Sequence, residues 1–432
     1  MRHEHARACE QRVALQNCGR IDPRNLDQYI AECHGYSGLE RALGLGREGV
    51  IAELCTSGLR GRGGAGYDTA AKWQNCCDAG GEEKYAVCNA VDSDPRGRTA
   101  RLLVGSDPHS VLEGLLIAAY AVGAANCFVC VNAEYAEEIA VLQEALEQLR
   151  RRGLLGDDIL ASGFSCDMAI KEIPGSLVAG EETALLQALE GKQPLPYLRT
   201  ADSASRGLHG MPTLVNSAET LANVSTLFQG HPAATGAESP ADGGGTKVLT
   251  VSGAVSQERT VEVPFGTTIA AVIEAVEGVP LDDLDIKAVR FGGPTGVFLA
   301  GAGLQTPITY EALEEAGSAM GSASIEVFGG GRCAVEMARD VMSYLEQQSC
   351  GKCVSCREVT YQLADMLSDI AEFKGEAKDM EMIGELCEFM RNNSICGLGK
   401  NAGVPVLSSI RLFAGDYDSH LKDKRCPSGA TG

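Results

Sequence analysis

The sequence predicts an α/β domain, a small β-rich module and a C-terminal helical bundle, in that order along 432 residues. Three observations favour this fold class. Short apolar strands alternate with helices from residue 49 to about 230, which is typical of an α/β sheet. A segment of linker composition follows at His231–Gly245. From Cys333 onward the strand signals vanish and long helical patterns replace them.

The sequence predicts helices in the first part of the chain and alternating strands and helices in the second. Residues 1–48 are interpreted as a helical lead-in, with a helix start at Pro23–Asp27 and a helix at Tyr36–Leu45. In the α/β domain, 49–230, ligand-binding loops are expected at the carboxyl ends of the strands. The clearest elements there are the strand Tyr85–Asn89, the helix Ser110–Val122, the strand Cys127–Asn132 and the helix Glu134–Arg152.

Residues 246–332 predict a β-grasp-like module, and residues 333–420 predict the bundle, followed by a tail at 421–432. The module contains a predicted hairpin, a helix and two later strands. These are Lys247–Gly253 paired with Thr260–Val263, the helix Thr268–Val276, and strands near Val289 and Ile325. The bundle helices are Glu336–Gln347, Arg357–Ile370, Met380–Met390 and Val406–Phe413.

The composition argues against two classes of function. The formal net charge of −21 disfavours nucleic acid, because phosphate backbones are bound by clustered Lys and Arg. It does not exclude a nucleotide, whose phosphates are held locally by backbone N–H groups. The longest apolar stretch, Val111–Val122, contains Glu113 and is shorter than the ~20 residues of a bilayer span. We therefore expect no nucleic-acid partner and no membrane span.

Three cysteines at i, i+3 and i+6, Cys350, Cys353 and Cys356, are complemented by the distant Cys396. Such a triple, closed by a thiolate from another element, predicts a [4Fe-4S] cluster. Gly351 permits the tight backbone path between the first two ligands. The alternative is a four-cysteine zinc site, but zinc modules usually present two separate C-x2-C pairs.

The remaining cysteines carry weaker signals. Seventeen cysteines in a chain that opens with polar and charged residues indicate a reducing cytoplasm. Cys127 and Cys130 have metal-like spacing but lie in an apolar strand, where alternate side chains face opposite ways, so buried thiols are expected. Cys76, Cys77 and Cys88 are interpreted in the same way. Cys426 has no second cysteine after it, and the seven scattered histidines predict no metal site.

A glycine-rich loop, Gly58–Tyr67, contains five glycines and two arginines and leads into a helix through Lys72. Such a loop lets the backbone approach a phosphate or a flat ring, with the helix N-terminus adding positive potential. An ordinary flexible turn is the alternative. The acidic loop Asn89–Pro95 follows a strand directly, where ligand residues gather in α/β sheets.

Two further segments begin helices. In Gly180–Thr183, Glu181 and Glu182 are either helix N-terminal partners or ligands of ribose hydroxyls. Periodicity alone favours the first role. In Pro212–Thr220, Ser217 is placed to cap the following helix.

Four motifs occur in a fixed order, and together they carry a family resemblance. They are Gly58–Gly66, Gly180–Leu185, Gly292–Pro294 and Ser349–Cys353. In this order they resemble the flavoprotein subunit of respiratory complex I and its relatives in NAD-coupled and electron-bifurcating [FeFe]-hydrogenases and formate dehydrogenases. The resemblance runs from about Arg12 to His420 and covers nearly the whole chain.

The resemblance implies a Rossmann-like FMN domain, a ubiquitin-like β-grasp domain and a four-helix bundle with one [4Fe-4S] cluster. It implies hydride transfer from NADH to FMN and electron exit through the cluster, with no catalytic side chain required. The implied FMN ligands are Gly61, Arg62, Gly63, Gly64, Lys72, Asn89, Asp92, Asn216 and Thr220. Asp94 and Glu182 are expected near NAD(H), and Glu181 and Ser217 complete the candidate cofactor residues.

The sequence departs from the family pattern around the ring site. Relatives carry an aromatic residue at the position of Asn75. They carry Asp where this chain has Val91, and Glu where it has Asp94. They carry Tyr where this chain has Leu177, and Cys where it has Ala179. Ser217 replaces an Asn, and Leu195–Arg199 differs from the usual proline-aromatic stretch. These departures motivate a second hypothesis, a family member that serves as a [4Fe-4S] electron wire and scaffold without NAD(H) turnover.

The leading hypothesis is the NAD(H)-linked FMN and [4Fe-4S] subunit of a multisubunit cytoplasmic oxidoreductase, and electron bifurcation is one form it takes in relatives. Residues Arg12–Gly19 resemble the join that follows a thioredoxin-like [2Fe-2S] domain. Cys426–Gly429 resembles the join to a two-cluster ferredoxin tail. Both appended domains are missing from this sequence. The expected partners are therefore a separate [2Fe-2S] subunit and a multi-cluster or catalytic subunit, unless this branch of the family does without them.

Overall fold

The computed structural model describes residues 9–231 and 244–429. The predicted linker at His231–Gly245 lies outside these residues except at its ends. None of the helices in the described ranges is long and apolar enough to cross a membrane.

The first domain is built on a four-stranded sheet with the order β3-β2-β1-β4, in which all neighbouring strands are parallel. Its strands are β1 Tyr85–Ala90, β2 Asn126–Asn132, β3 Asp167–Ile173 and β4 Thr213–Ser217. The parallel arrangement brings the loops after β1 and β4 to the same edge. The predicted strands β1 and β2 are confirmed, whereas β3 and β4 were not predicted because one is half exposed and the other short.

Helices cover this sheet and form the lead-in. They are α1 Leu26–Cys33, α2 Ser37–Ser57, α3 Thr69–Asp78, α4 Thr99–Ser106, α5 Pro108–Val122, α6 Ala136–Arg151, α7 Glu182–Leu189, α8 Ser203–Arg206 and α9 Ala218–Phe228. The predicted helix at Tyr36–Leu45 continues to Ser57, with a break at Gly46 where φ is 74°. The mixed α/β class with a parallel sheet is thus confirmed.

Helix α5 forms the centre of the first domain and is buried along nearly its whole length. The acid within this apolar stretch, Glu113, is fully buried. It accepts hydrogen bonds from the Tyr29 hydroxyl at 2.8 Å, the Ser225 hydroxyl at 2.9 Å and the Leu39 N–H at 3.1 Å. The buried carboxyl therefore connects helices α1, α2 and α9 to α5.

The strand cysteines behave as expected. Cys127 packs into the core on one face of the sheet, and Cys130 packs into a smaller core on the other face. Both thiols are buried. The Cys127 Sγ atom lies 3.4 Å from Cys166 Sγ, a contact between neighbouring strand ends that the sequence pattern did not predict.

A second, five-stranded sheet has the order β6-β5-β9-β7-β8. Its strands are β5 Thr246–Gly253, β6 Arg259–Pro264, β7 Ile286–Phe291, β8 Val297–Leu299 and β9 Ser324–Gly329. Strands β5 and β9 pair in parallel and the other pairs are antiparallel, so the predicted hairpin forms. The sheet carries helices α10 Ile269–Glu277 and α11 Tyr310–Glu315.

The C-terminal region is helical, as predicted. Its helices are α12 Ala334–Gln348, α13 Val354–Ala371, α14 Ala377–Asn393, α15 Gly397–Asn401, α16 Gly403–Leu412 and α17 Ala414–Asp418, followed by a π-helical turn at Ser419–Asp423. Helix α12 packs on α13 and α16, and α14 packs on the same two helices. Their shared core includes Met337, Leu345, Leu363 and Met390.

The lead-in is fastened to the second sheet by one buried carboxylate. Glu262 on β6 accepts hydrogen bonds of 2.9 Å from the backbone N–H groups of Val13, Ala14 and Leu15. Burial raises the pKa of Glu262, and the Thr246 hydroxyl and these N–H groups oppose the increase. If the Glu262 carboxylate were lost, these three buried N–H groups would have no acceptor, and each would cost free energy because it is desolvated without a hydrogen bond.

We predict that Glu262→Gln weakens this attachment, because an amide NH2 would face N–H donors. The free energy of unfolding should fall by about 1–3 kcal/mol, and the amides of Val13, Ala14 and Leu15 should exchange faster in hydrogen-exchange mass spectrometry. Glu258→Gln, at an exposed carboxylate paired with Arg96, serves as the control. Unchanged exchange at residues 13–15 would show that Glu262 does not hold the lead-in.

Candidate functional site

A cleft at the carboxyl ends of β1 and β4 contains two adjoining chambers of about 710 Å³ and 380 Å³. Cavities of this size accommodate cofactors and nucleotides. The residues common to both linings come from the carboxyl ends of β1 and β4, the segment between β3 and α7, the glycine-rich loop and the C-terminal helical region. They are Gly63, Asn89, Gly180, Glu181, Ser217, Cys396 and Gly397.

Almost all candidate cofactor residues meet at this cleft. The larger chamber is lined by Gly61, Gly63, Lys72, Asn89, Glu181, Glu182, Asn216, Ser217 and Thr220. Arg62, Asp92 and Asp94 line the smaller one. Gly64 lines neither chamber. Its φ is +106°, and a Cβ atom there would lie 2.4 Å from the carbonyl oxygen of Gly321, so glycine at this position permits packing against the second sheet.

The glycine-rich loop is held in place from three directions. The Gly61 N–H donates to the Tyr67 carbonyl at 2.7 Å. The Tyr310 hydroxyl, from α11, donates to the Gly61 carbonyl at 2.8 Å. The Arg62 N–H donates to Thr220 Oγ1 at 2.9 Å, at the start of α9. The loop is therefore a fixed wall and not the flexible turn that the sequence left open.

The Arg62 side chain is engaged by the protein itself. Its guanidinium donates to the carbonyls of Arg60 and Gly244, both at 3.1 Å, and lies 4.6 Å from the ring centre of Phe265. The side chain is buried, and its Nε atom has no hydrogen-bond partner within the described residues. Its charge thus contributes positive potential from behind the loop.

Lys72 and Glu182 form an ion pair at the floor of the larger chamber. The Lys72 ammonium donates to Glu182 Oε2 at 2.9 Å and to the Val215 carbonyl at 2.8 Å. The Ser203 hydroxyl also donates to Glu182, and Arg199 lies 3.8 Å from it. Burial alone would raise the pKa of Glu182, but Lys72, Ser203 and Arg199 outweigh it and hold that pKa below 4.5.

Two amides of the site are oriented by neighbouring groups. The buried Trp73 Nε1–H donates to Asn216 Oδ1 at 2.9 Å. Because this bond uses the oxygen, the Asn216 NH2 group remains a donor for the chamber. The Asn89 NH2 group donates to the Gly180 carbonyl at 2.9 Å. These bonds fix both side chains where the sheet edge meets the Gly180 loop.

The acidic loop after β1 is anchored at both of its carboxylates. Asp92 accepts hydrogen bonds from the N–H groups of Ala100 at 3.0 Å and Arg101 at 2.8 Å, in the first turn of α4. Burial raises its pKa, and these two N–H groups oppose the increase. The Asp94 carboxylate accepts hydrogen bonds from the hydroxyls of Ser324, the first residue of β9, and of Ser322 just before it. The loop thus joins the two sheets.

Glu181 has a structural role at the start of α7. Its carboxylate accepts hydrogen bonds from the N–H groups of Thr183 at 2.9 Å and Ala184 at 3.0 Å, and from Arg199 at 3.1 Å. It is therefore the N-cap, as the periodicity favoured, although it also lines both chambers. Ser217 likewise caps α9 as predicted, accepting from the Thr220 N–H at 3.3 Å.

The four cysteines predicted as cluster ligands pack together with the apolar residues Val178, Ala184 and Leu398. Burial raises the pKa of the Cys356 thiol to about 11, and the thiols of the other three add to the increase against a hydrogen bond with Ser349. Gly351 has a φ of +76° and its carbonyl accepts from Arg357 at 2.7 Å, which shapes the first turn of the loop. Lys352 donates to the Pro196 carbonyl at 2.7 Å and so ties this loop to the larger chamber.

Cys396 belongs both to the cysteine group and to the cleft. It immediately precedes helix α15 and lines both chambers together with Gly397. Gly399 makes the approach possible, since a Cβ atom there would lie 2.6 Å from Ser394 and 3.1 Å from Cys356 Cβ. A cluster on these thiolates would therefore share a wall with the cleft.

The departures noted in the sequence lie in different surroundings. Val91 and Ala179 are buried in the small core beneath the sheet edge. Leu177 lines the smaller chamber and packs against the cysteine group. Asn75 is exposed on α3. Val91, Leu177 and Ala179 therefore contribute apolar packing, and Asn75 lies at the surface.

The sequence did not predict that the second sheet would contribute to the cleft. Pro294, Thr295 and Ser322 line the smaller chamber. The Gly292–Pro294 motif was the only local signal for this. Lys400 and Trp73 were also missed, because a lysine on a short helix and a buried aromatic residue are ordinary features of a sequence.

Two family models match the chain. Residues 54–226 match the family described as the Nuo51 FMN-binding domain. Residues 336–420 match the NADH-ubiquinone oxidoreductase-F iron-sulfur binding region. The first range contains the glycine-rich loop and the sheet edge, and the second contains all four cysteines predicted as cluster ligands. The match favours the iron-sulfur cluster over the zinc alternative for these cysteines.

Curated relatives are similar over almost the entire chain. The NADP-reducing hydrogenase subunit HndC of Solidesulfovibrio fructosivorans is 38% identical over 417 residues, covering 96% of this chain and 85% of that protein. The NADH-quinone oxidoreductase of Rhizobium meliloti has an F-type subunit that is 34% identical over 416 residues, covering 96% and 99%. A solved NAD+-reducing [NiFe]-hydrogenase in the H2-reduced state matches with a TM-score of 0.82 at 28% identity, covering 97% of this chain and 69% of that one.

We predict that the ion pair of Lys72 and Glu182 stabilises the fold only above acidic pH. The pKa of Glu182 is lower in the folded protein than its ordinary value of 4.5. The ion pair therefore makes its full contribution to the free energy of unfolding above pH 4.5, and this contribution is lost as the pH falls through the lower, folded pKa. The melting temperature of the wild type should exceed that of Glu182→Gln near neutral pH, and the difference should shrink in acid. A difference that does not depend on pH would contradict the assignment.

Proposed function

Because the chain belongs to the family of NADH-quinone oxidoreductase F-type subunits and their hydrogenase relatives, we propose that it passes electrons between a nicotinamide nucleotide and a [4Fe-4S] cluster by way of FMN. One observation carries this proposal. Cys396, the distant member of the cysteine group, lines the same cleft as the glycine-rich loop. A flavin bound there would lie next to a cluster ligand, which keeps the electron path short.

The residues of the larger chamber fit FMN. Gly63 packs closely against Ser217, because a Cβ atom at Gly63 would lie only 3.3 Å from Ser217 Cβ. Without a side chain, the backbone at Gly63 is open to close approach by a flat ring. The start of α9, an 11-residue helix beginning after Ser217, provides backbone N–H groups and positive potential for the phosphate. We assign phosphate and ring binding to Gly61, Gly63, Lys72, Asn89, Asn216, Ser217 and Thr220 of this chamber, together with Arg62 and Asp92 of the adjoining smaller one. Gly64 supports the loop from behind.

Bound FMN supplies hydride acceptance and one-electron release, which is chemistry that no side chain provides. The residues of this chain position and shield it. Trp73 orients the Asn216 amide toward the chamber, and Lys72 holds a positive charge at its floor. No general base is required, so we assign no catalytic residue.

We place the nicotinamide nucleotide at the mouth of the same cleft, near Asp94, Glu181 and Glu182. Relatives are named both for NADH and for NADP. We propose NAD(H) as the nucleotide, and a comparison of NADH with NADPH decides whether a 2′-phosphate is also accepted. The competing proposal is an electron wire without nucleotide turnover. It is favoured by one observation, namely that Asp94, Glu181 and Glu182 are already bound by protein hydroxyls, N–H groups and cations.

Cys350, Cys353, Cys356 and Cys396 are proposed as the four ligands of the cluster. Their apolar surroundings, with Val178 and Leu398, limit water access and thereby tune the reduction potential.

The domain assignment follows the same proposal. We assign 49–230 to the Rossmann-like FMN and NAD(H) domain, 246–332 to a ubiquitin-like β-grasp domain and 333–420 to a four-helix bundle. The relatives are subunits of larger oxidoreductases, so we propose iron-sulfur partner subunits, a thioredoxin-like [2Fe-2S] protein among them, in the cytoplasm.

Anaerobic purification tests the leading proposal against the electron wire. We expect releasable FMN at about one per chain and bleaching of the flavin absorbance on addition of NADH or NADPH. Flavin that responds to neither nucleotide, or a chain without flavin that retains iron and sulfide, would favour the wire.

The ligand assignment predicts a sharp contrast between two cysteine variants. Cys396→Ser should abolish the EPR signal of the reduced [4Fe-4S] cluster, because a direct ligand is lost. Cys127→Ser, at a buried thiol in β2, is the matched control and should retain the signal. The opposite pattern would show that the strand thiols hold the cluster.

Thr220→Val should weaken FMN binding without unfolding the domain. The variant removes the acceptor of the Arg62 N–H, which frees the glycine-rich loop at a cost of about 1–3 kcal/mol. Flavin retention after gel filtration should fall relative to the wild type. Thr226→Val, on the same helix but bonded to the Ala222 carbonyl, should retain FMN, and equal losses in both variants would contradict the role of Thr220.

A further inference from the structure

Another cavity, of about 690 Å³, lies next to helix α4 and is separate from the cleft. Its volume is within the range of cofactor and nucleotide sites. Gly97, Thr99 and Ala100 line the smaller chamber of the cleft, whereas Arg98 and Arg101 line this cavity. The first turn of α4 therefore forms a wall of both spaces, and the cavity shares no lining residue with the cleft.

The lining of this cavity is rich in cations, although the chain as a whole has a net charge of −21. Four arginines line it and only two glutamates, so the term arginine cavity is used for it. The charged lining residues are Arg12, Arg24, Arg98, Arg101, Glu137 and Glu138. A confined space with more positive than negative side chains attracts anions.

Arg98 is the arginine whose charge is least satisfied by the protein. Its guanidinium donates to the carbonyls of Pro95 at 2.8 Å and Gly97 at 3.0 Å, which fixes it at the start of α4. The other three arginines each pair with a glutamate. Arg98 is half-buried and forms no ion pair with a carboxylate of residues 9–231 or 244–429. Because a partly desolvated cation without a counter-ion costs free energy, this position favours a bound anion.

Arg101 is oriented by Glu138, which begins the opposite wall on α6. The Arg101 Nε–H donates to Glu138 Oε1 at 2.7 Å, and the guanidinium lies 4.9 Å from the ring centre of Tyr135. The two terminal NH2 groups of Arg101 remain as donors for a ligand. The Glu138 side chain is buried, and its Oε2 atom accepts no hydrogen bond within the described part of the chain. Glu138 thus adds an unsatisfied acceptor beside the arginines.

The remaining walls provide apolar surface and are fixed by contacts already described. The apolar lining residues are Leu15, Pro23, Leu102 and Val141. The Leu15 N–H is held by Glu262, and the Arg101 N–H by Asp92. Cations, apolar side chains and carboxylate acceptors together match a ligand that carries phosphate, a ring and hydroxyl or amino groups.

We propose that the arginine cavity binds a nucleoside phosphate at a site separate from the cleft. Arg98 and Arg101 would bind the phosphate, because planar guanidinium groups suit paired contacts with phosphate oxygens. The apolar side chains would contact the base, and the two glutamates would accept from ligand hydroxyl or amino groups. The proposal does not depend on the chemistry assigned to the cleft, although a ligand here would contact the other side of the α4 turn that Asp92 caps.

Isothermal titration calorimetry with ADP tests the site on the full chain with its iron-sulfur cluster in place. Arg98→Gln should weaken ADP binding about tenfold or more, because charge-assisted hydrogen bonds to phosphate are lost. Arg101→Lys should also weaken it, since it keeps the charge but loses the planar fork. Arg339→Gln is the matched control, because it removes one positive charge at a side chain paired with Asp340, outside this cavity. It should bind ADP as the wild type does.

Equal ADP affinity in the wild type and in Arg98→Gln would overturn the proposal, as would equal losses in Arg98→Gln and Arg339→Gln. Pyrophosphate and adenosine separate the two halves of the ligand, and we expect each to bind more weakly than ADP. Adenosine that binds as tightly as ADP would contradict the phosphate site. Pyrophosphate that binds as tightly would contradict a nucleoside ligand.

Photolabelling of the wild type with an azido-ADP probe keeps the proposal testable if a variant fails to fold. After proteolysis and mass spectrometry, we expect label on peptides that line the arginine cavity, namely those of residues 12–24, 98–106 or 137–141. Label on cleft peptides reports nucleotide binding in the cleft separately. Label confined to the cleft, or no label that excess ADP displaces, would overturn the proposal.

Discussion

The position of Cys396 is the constraint on which the rest of the site depends. Its side chain packs with the other three cysteines, and the same short segment forms a wall of the cleft. Helix α14 brings the chain back to this point, and Gly399 allows its loop to pack against Cys356. The cysteine group and the cleft therefore share one set of packing contacts, so a substitution in one alters the packing of the other.

The second constraint is charge. A chain with a net charge of −21 has acidic groups in its cleft, and each of them is stabilised by a specific partner. Asp92 and Glu181 bind helix N-termini, Glu182 binds Lys72, and Asp94 binds two serines at the start of β9. The walls are thus fixed by the protein before a ligand binds, which lowers the ordering cost of binding.

Sequence reasoning was most successful where the signal was local. The strands β1 and β2, the caps at Ser217 and Glu181, and the cysteine spacing follow from residues close together in the chain. It missed what depends on distant contacts. The segment just before β9 reaches the cleft through Ser322, and His420 meets Cys333 although 87 residues separate them in the chain. No periodicity encodes such meetings.

The central claim is that electrons reach the cluster through FMN in the shared cleft. The most direct measurement is rapid freeze-quench EPR on the anaerobic chain with FMN present, removed and restored. We expect NADH or NADPH to reduce the cluster only when FMN is bound, while dithionite reduces it in all three samples. Cluster reduction by the nucleotide in the FMN-free chain, or none in the FMN-loaded chain, would contradict this claim.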